Sequence, residues 1–197
     1  ERKRAEEAIV SFRRIDDLIE RMGAITRQLK SYARKAGDSL APVDMRDAVT
    51  SALAIMEPQL KARKIRITKT LPQSPAIVLG DRLRLEQVII NLLRNAFDAT
   101  NASDTAAVDI LLTSGEQVLL AVRDNGQGIE NLDDLFEPFY TTKQPGDGVG
   151  LGLAISSGIV TDLGGRLTAR NAANGGAVFE VVLPIYRAEG EKGDAAE

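Results

Sequence analysis

The 197 residues contain no cysteine and no histidine. Without cysteine there are no disulfides, no zinc–thiolate centres and no thiol nucleophile, and the composition suits a cytoplasmic setting. Without histidine no imidazole serves as base, nucleophile or metal ligand, which removes Ser-His-Asp and Cys-His chemistry. No apolar run approaches the roughly 18 residues of a membrane span, and the N-terminal stretch lacks a secretory-signal pattern. A net charge of −3 with a pI near 5.2 gives no electrostatic reason to propose nucleic acid. What remains is 44% hydrophobic with charges of both signs, a soluble globular composition long enough for one domain and an added element.

The first 36 residues read as one amphipathic helix. Ala8, Phe12, Ile15, Ile19, Met22, Thr26, Leu29, Ala33 and Ala36 follow alternating steps of four and three, a heptad seam. Leu18, Ile25 and Tyr32 widen that seam towards a bundle, so the helix is expected to take partner helices from a second copy or from chain outside it, packing back on its own domain being the alternative. Residues 37–43, with Gly37 and Pro42, are expected to be a linker, residues 44–186 a second domain and residues 187–197 a frayed tail.

Within residues 44–186 the periodicity predicts an α+β domain. Asp44 is placed to cap a helix reaching about Ala62, with Val49, Leu53, Met56 and Leu60 on its buried side. Strands are expected around Ile65–Leu71 and Ala76–Leu79, then a hairpin from Ala106 to Asp124 about Ser114-Gly115-Glu116. A Gly- and Asp-rich loop from Asp124 to Gly150 precedes a helix over Leu151–Leu163, and Arg166–Arg170 and Ala177–Leu183 form a last pair of strands. The expected architecture is a two-layer α/β sandwich: a mixed, mostly antiparallel sheet covered on one face by helices, preceded by the long N-terminal helix.

The helix opened by Gly80-Asp81 carries the first chemistry. At about 100° per residue, Leu85, Ile89, Leu92, Ala96 and Ala99 share an apolar face, whereas Gln87, Asn91, Asn95 and Asp98 cluster opposite. Such a stripe is either a solvated face or a set of amide oxygens of the kind Mg²⁺ accepts alongside waters and phosphates. Asp124-Asn125-Gly126-Gln127-Gly128-Ile129 directly follows a strand. It is either a plain turn or a carboxylate placed to accept from an exocyclic amine, with Gly126 and Gly128 turning closely against a planar ligand. Gly146-Asp147-Gly148-Val149-Gly150-Leu151-Gly152 opens a helix with alternating glycines whose N–H groups can cradle a phosphate, a linker being the alternative. Between them, Phe136-Glu137-Pro138-Phe139-Tyr140-Thr141-Thr142-Lys143 is either a satellite apolar cluster or a segment that folds onto something apolar. Its Lys143 can offer a point charge to a phosphate.

Taken in order, these four motifs resemble the N box, first glycine box, F box and second glycine box of the ATP-binding domain of sensor histidine kinases. That domain belongs to the wider superfamily shared with gyrase, Hsp90 and MutL. The resemblance covers about residues 40–185. Residues 1–36, with Glu20-Arg21-Met22-Gly23-Ala24-Ile25-Thr26-Arg27-Gln28-Leu29-Lys30, resemble the second helix of the dimerisation and phosphoacceptor hairpin. They are most similar to the sensors for four-carbon dicarboxylates and their nitrogen-regulatory relatives.

The resemblance implies that Asn95, assisted by Asn91, holds Mg²⁺ on the triphosphate of ATP, and that Asp124 binds the adenine amine in a pocket shaped by Gly126 and Gly128. Gly148, Gly150 and Gly152 would carry phosphate contacts, with Lys143 in a lid. It further implies γ-phosphoryl transfer to a histidine, relay to the aspartate of a response-regulator receiver domain, homodimerisation through the hairpin helices and membrane attachment only through other segments. The acceptor histidine of this family lies on the first hairpin helix, which is expected to precede these residues, so self-phosphorylation is not expected. Ala177 stands where many relatives have a threonine beside the adenine, which removes a hydroxyl contact. Gyrase-like ATPases carry a water-activating Glu four residues before the Mg²⁺ asparagine; Asn91 stands there instead, so hydrolysis is expected to be slow. A slow ATPase and a non-catalytic nucleotide-gated module are the alternatives.

Overall fold

The computed structural model describes residues 40–100, 105–143 and 149–187. The expected helix over residues 1–36 therefore lies outside the described residues, as do Gly148 and all of the expected tail except Arg187.

The first helix, α1 (Met45–Arg63), starts where Asp44 caps it: the carboxylate accepts from the Arg46 backbone N–H at 3.0 Å. Met45, Ala48, Val49, Ala52 and Met56 are its buried side. Pro58 sits inside the helix and leaves the Ala54 carbonyl without its usual donor. Ala54 faces solvent, where water can take that place, so the helix continues to Lys64, whose left-handed φ of 54° ends it. The second helix, α2 (Arg82–Ala99), is capped by Asp81, which accepts from the N–H groups of Leu83 and Arg84. Leu85, Val88, Ile89, Leu92, Leu93, Ala96 and Phe97 are all buried, a broader apolar face than one stripe. Gln87, Asn91, Asn95 and Asp98 remain partly exposed, as the helical spacing predicts.

Among the described residues five strands make the main sheet: β2 (Arg66–Thr70), β4 (Ala107–Ser114), β5 (Gln117–Asp124), β6 (Arg166–Asn171) and β7 (Ala177–Pro184), in the order β2-β4-β5-β7-β6. Only β2–β4 is parallel, a pairing that needs the intervening α2 crossover. The other pairs are antiparallel, so the sheet is mixed and mostly antiparallel, as expected. Along β4 and β5 burial alternates residue by residue: Val108, Ile110 and Leu112 point inward together with Val118, Leu120 and Val122. The helices α1, α2 and α3 (Gly152–Asp162) cover that inner face.

One element departs from expectation. Ala41–Val43, read as linker, belongs to a strand, β1 (Ala41–Asp44), paired antiparallel with β3 (Ile77–Gly80) in a separate two-stranded sheet. Pro42 is tolerated because β1 has a single neighbour, and an edge strand is where proline's missing N–H is accommodated. Val43 is buried, and that burial decides strand over linker.

The inner face of α2 is fully packed, so truncating its centre should leave a cavity. Leu92→Ala, at a side chain with 0% exposure, is expected to cost about 3 kcal/mol. Urea unfolding with an unchanged m-value checks this; a loss under about 1 kcal/mol would mean the core collapses around the gap.

Candidate functional site

The candidate site is built where the C-terminal half of α2, the loop after β5 and the start of α3 meet. Asp124 ends β5, the central strand, and is 2% exposed. Its Oδ1 accepts from the N–H of Gly126 at 2.8 Å and of Ala177 at 3.3 Å. Its Oδ2 accepts from no group among the described residues. Burial pushes this carboxyl above its ordinary value of 3.8, against those two N–H donors. A buried carboxylate with one free oxygen can accept from an amine that excludes water as it enters.

The glycines around it are required by the protein's own backbone. A Cβ on Gly126 would lie 2.3 Å from the Ala99 carbonyl oxygen, and that same oxygen accepts from the Gln127 N–H at 3.4 Å. The loop thus caps the C-terminus of α2, and the Cα of Gly126 packs against that helix end. Gly128 has φ +81°, and a Cβ there would stand 2.9 Å from Asn171 Oδ1.

On α2, Asn91 donates through Nδ2 to the Gly152 carbonyl and to Ser156 Oγ, both at 3.2 Å. Ser156 is fully buried and itself donates to the Gly152 carbonyl at 2.8 Å. These bonds assign the amide: Nδ2 is engaged by α3, and Oδ1 is left as an acceptor. Asn95, one turn further on, is half-buried and its amide has no partner among the described residues. Among the described residues no cluster of three Asp, Glu, His or Cys could hold a metal. A divalent ion here would therefore draw on amide oxygens, waters and a ligand's own oxygens, the donor set Mg²⁺ tolerates when phosphates complete its shell.

The F box divides. Phe136 packs against the core, whereas Phe139 is 68% exposed and has φ 69°, a left-handed backbone rare for an aromatic residue. Its N–H donates to the Gly150 carbonyl at 3.0 Å, and a Cβ on Gly150 (φ +71°) would lie 2.5 Å from the Tyr140 oxygen. Of the aromatics, then, Phe136 folds onto apolar surface and Phe139 does not. Gly152 has ordinary room for a Cβ, about 3.7 Å from the Asn91 side chain. Lys143 Nζ bonds Asp98 Oδ2 at 2.6 Å, so the charge expected for a phosphate rests on α2, one turn beyond Asn95.

Several supporting residues were not singled out from the sequence. Asn171 accepts from the Ile129 N–H at 2.7 Å and donates to the Ile129 carbonyl at 2.9 Å, pinning the glycine loop to β6. Asn125 does the same for the start of β4, accepting from Ala107 and donating to the Thr105 carbonyl. Gly176, with φ +81°, brings its Cα so close to Asp124 that a Cβ would lie 2.0 Å from that residue's carbonyl. Spacing carries a signal for Ser156, one turn after Gly152; none exists for Asn171, 42 residues from Ile129.

The raised pKa of Asp124 has a sign that can be tested. Between 3.8 and the raised value the native state holds a proton that the unfolded chain has lost, so stability falls as pH rises through that window. Asp124→Asn keeps an Oδ1 for Gly126 and Ala177 and removes the ionisation. Its melting temperature relative to the parent should therefore rise from acid to neutral pH. A pH-independent difference in scanning calorimetry would mean that Asp124 titrates as it does in the unfolded chain.

Residues 80–187 match the family of histidine kinase-, DNA gyrase B- and HSP90-like ATPases. The chain is 40% identical over 164 residues to the C4-dicarboxylate transport sensor protein DctB of Rhizobium meliloti, which covers 82% of this chain and 26% of that protein. It thus spans about a quarter of the length of that curated relative. Among solved structures, the catalytic domain of the histidine kinase ThkA superposes with a TM-score of 0.67 at 28% identity, over 75% of this chain and 99% of that one. Full-length ShkA in complex with AMPPNP superposes with a TM-score of 0.71 at 27% identity, over 93% of this chain and 39% of that one. The matched residues run from the strand before α2 to the end of β7 and hold most of the site, and the chain belongs to the histidine kinase-, DNA gyrase B- and HSP90-like ATPase family.

Proposed function

We propose that this domain binds Mg-ATP and transfers the γ-phosphoryl to a histidine outside these 197 residues, as the catalytic part of a two-component sensor kinase. The observation that carries this reading is the shared polar edge of α2 and the β5 loop: two amides one turn apart, at a helix end locked onto a buried carboxylate with one free oxygen. Asp124 would take the adenine amine, in a pocket bounded by the loop of Gly126 and Gly128. The Oδ1 atoms of Asn91 and Asn95 would face Mg²⁺, which when bound neutralises charge on the triphosphate. Gly150 and Gly152 would present N–H groups to the phosphates at the start of α3, the role the sequence motif also gives Gly148.

In the transfer a histidine ring nitrogen forms a bond to the γ-phosphorus, the bond from that phosphorus to the β–γ bridging oxygen breaks, and ADP leaves. Histidine supplies its own nucleophile, so the domain has only to orient and neutralise. The side chains beside the proposed Mg²⁺ position argue against hydrolysis as the main activity. Asn91 is an amide committed through Nδ2, and Asp98, though partly buried, is held below its ordinary value by hydrogen bonds from Lys143 and Arg63. Neither makes an effective base for water.

No helix among the described residues is long and apolar enough to cross a membrane. In this reading the domain works on the cytoplasmic side, dimerises through its residue 1–36 seam and passes the phosphoryl group to a receiver-domain aspartate. Its likeness to DctB supports placing it with the dicarboxylate sensors.

Two measurements test the reading. Asn95→Ala should keep the melting temperature and lose Mg²⁺-dependent ATP binding by at least tenfold, about 1.4 kcal/mol. A separate hairpin bearing the acceptor histidine, mixed with this chain and γ-labelled ATP, should acquire acid-labile phosphate. Tight ATP binding without transfer would leave a nucleotide-gated module instead.

A further inference from the structure

Asp98 is a carboxylate on the edge of α2 that the proposed phosphate site occupies, where negative charge ought to repel a triphosphate. The structure gives each of its oxygens a cation. Oδ1 accepts from Arg63 Nη1 at 2.8 Å, at the end of α1, and Oδ2 from Lys143 Nζ at 2.6 Å, at the end of the F box. The two pairs join segments 35 and 45 residues away in the chain. All three side chains are partly shielded, at 37%, 25% and 30% exposure for Arg63, Asp98 and Lys143, so solvent weakens these pairs without erasing them.

The charge count matters. Two cations and one carboxylate leave the cluster with a single net positive charge. An ammonium has three N–H donors, and Asp98 uses one of those on Lys143, which leaves two for phosphate oxygens. Asp98 follows Asn95 by three residues, so on the helix surface the two are neighbours at about 5–6 Å between Cβ atoms. The carboxylate therefore holds Lys143 beside the asparagine proposed to face Mg²⁺.

We propose that Asp98 is a positioning residue for the nucleotide: it tethers Lys143 and Arg63 to α2 so that a net positive, pre-arranged cluster meets the polyphosphate. The inference rests on the Mg-ATP reading above and adds a residue to it. An untethered lysine on a polar loop must give up side-chain freedom on binding phosphate; a tethered one has already done so. Asp98 thus favours a polyphosphate although it shares its sign.

The test is equilibrium binding of AMPPNP, ADP and AMP to the 197-residue chain with Mg²⁺. Asp98→Asn should weaken AMPPNP about tenfold, ADP less and AMP hardly at all, because the loss follows the number of phosphates. Lys143→Gln should show the same gradient, and the double variant should lose no more than Asp98→Asn alone. Equal loss for all three nucleotides, tighter AMPPNP binding by Asp98→Asn, or additive losses in the double variant would each overturn the proposal. Lys143→Gln alters only a loop side chain, so it still reads the pair if Asp98→Asn does not fold, and a flat response there also overturns it. If the unmodified chain showed no Mg²⁺-dependent AMPPNP binding, the Mg-ATP reading itself would fall, a result that no variant can mimic.

Discussion

The contact between the Ala99 carbonyl and the Gly126 backbone holds the site together. A helix end has carbonyls without intrahelical donors, and burying one needs a partner. Here the β5 loop supplies it through the Gln127 N–H, and a glycine at 126 lets the loop come close enough. Because Asp124 is two residues before Gly126, the same contact sets the depth of the buried carboxylate relative to Asn91 and Asn95. The buried face of α2 fixes the helix against the sheet, and this contact fixes the loop against the helix.

Two carboxylates near that helix end have opposite electrostatics for stated reasons. Asp124 is buried with two backbone donors, and burial wins, so its pKa rises. Asp98 is less buried and carries two cations, and the cations win, so its pKa falls. A group of the first kind suits recognition of a neutral amine in a dry pocket. One of the second kind suits organising positive charge for an anion. In the proposed site the same residue type would serve two ends of one nucleotide, because its neighbours differ.

Much of the fold was legible in the chain. The alternation in β4 and β5, the Asp44 and Asp81 caps and the apolar face of α2 are local patterns, each set by a period of about two or 3.6 residues or by one side chain reaching two or three residues on. The reading of Ala41–Val43 as linker failed because a short edge strand owes its existence to its partner. Pro42 argues against a strand locally, and only pairing with β3 and the burial of Val43 overrule it. Phe139 was not decided by its apolar ring: its backbone is left-handed, its N–H bonds the Gly150 carbonyl, and its side chain is exposed.

By itself the sequence determined which residues could take part: amides one turn apart, a carboxylate ending a strand, glycines before a helix, and no imidazole anywhere. Those are matters of residue type and short spacing, which the chain carries explicitly. Tertiary structure alone decided which atoms are free to act. It spends the Asn91 nitrogen on Gly152 and Ser156, fills one oxygen of Asp124 and leaves the other open, and sends Lys143 to Asp98, 45 residues away. Hydrogen-bond partners at such separations depend on how helices and sheet stack in three dimensions, and no local period encodes that.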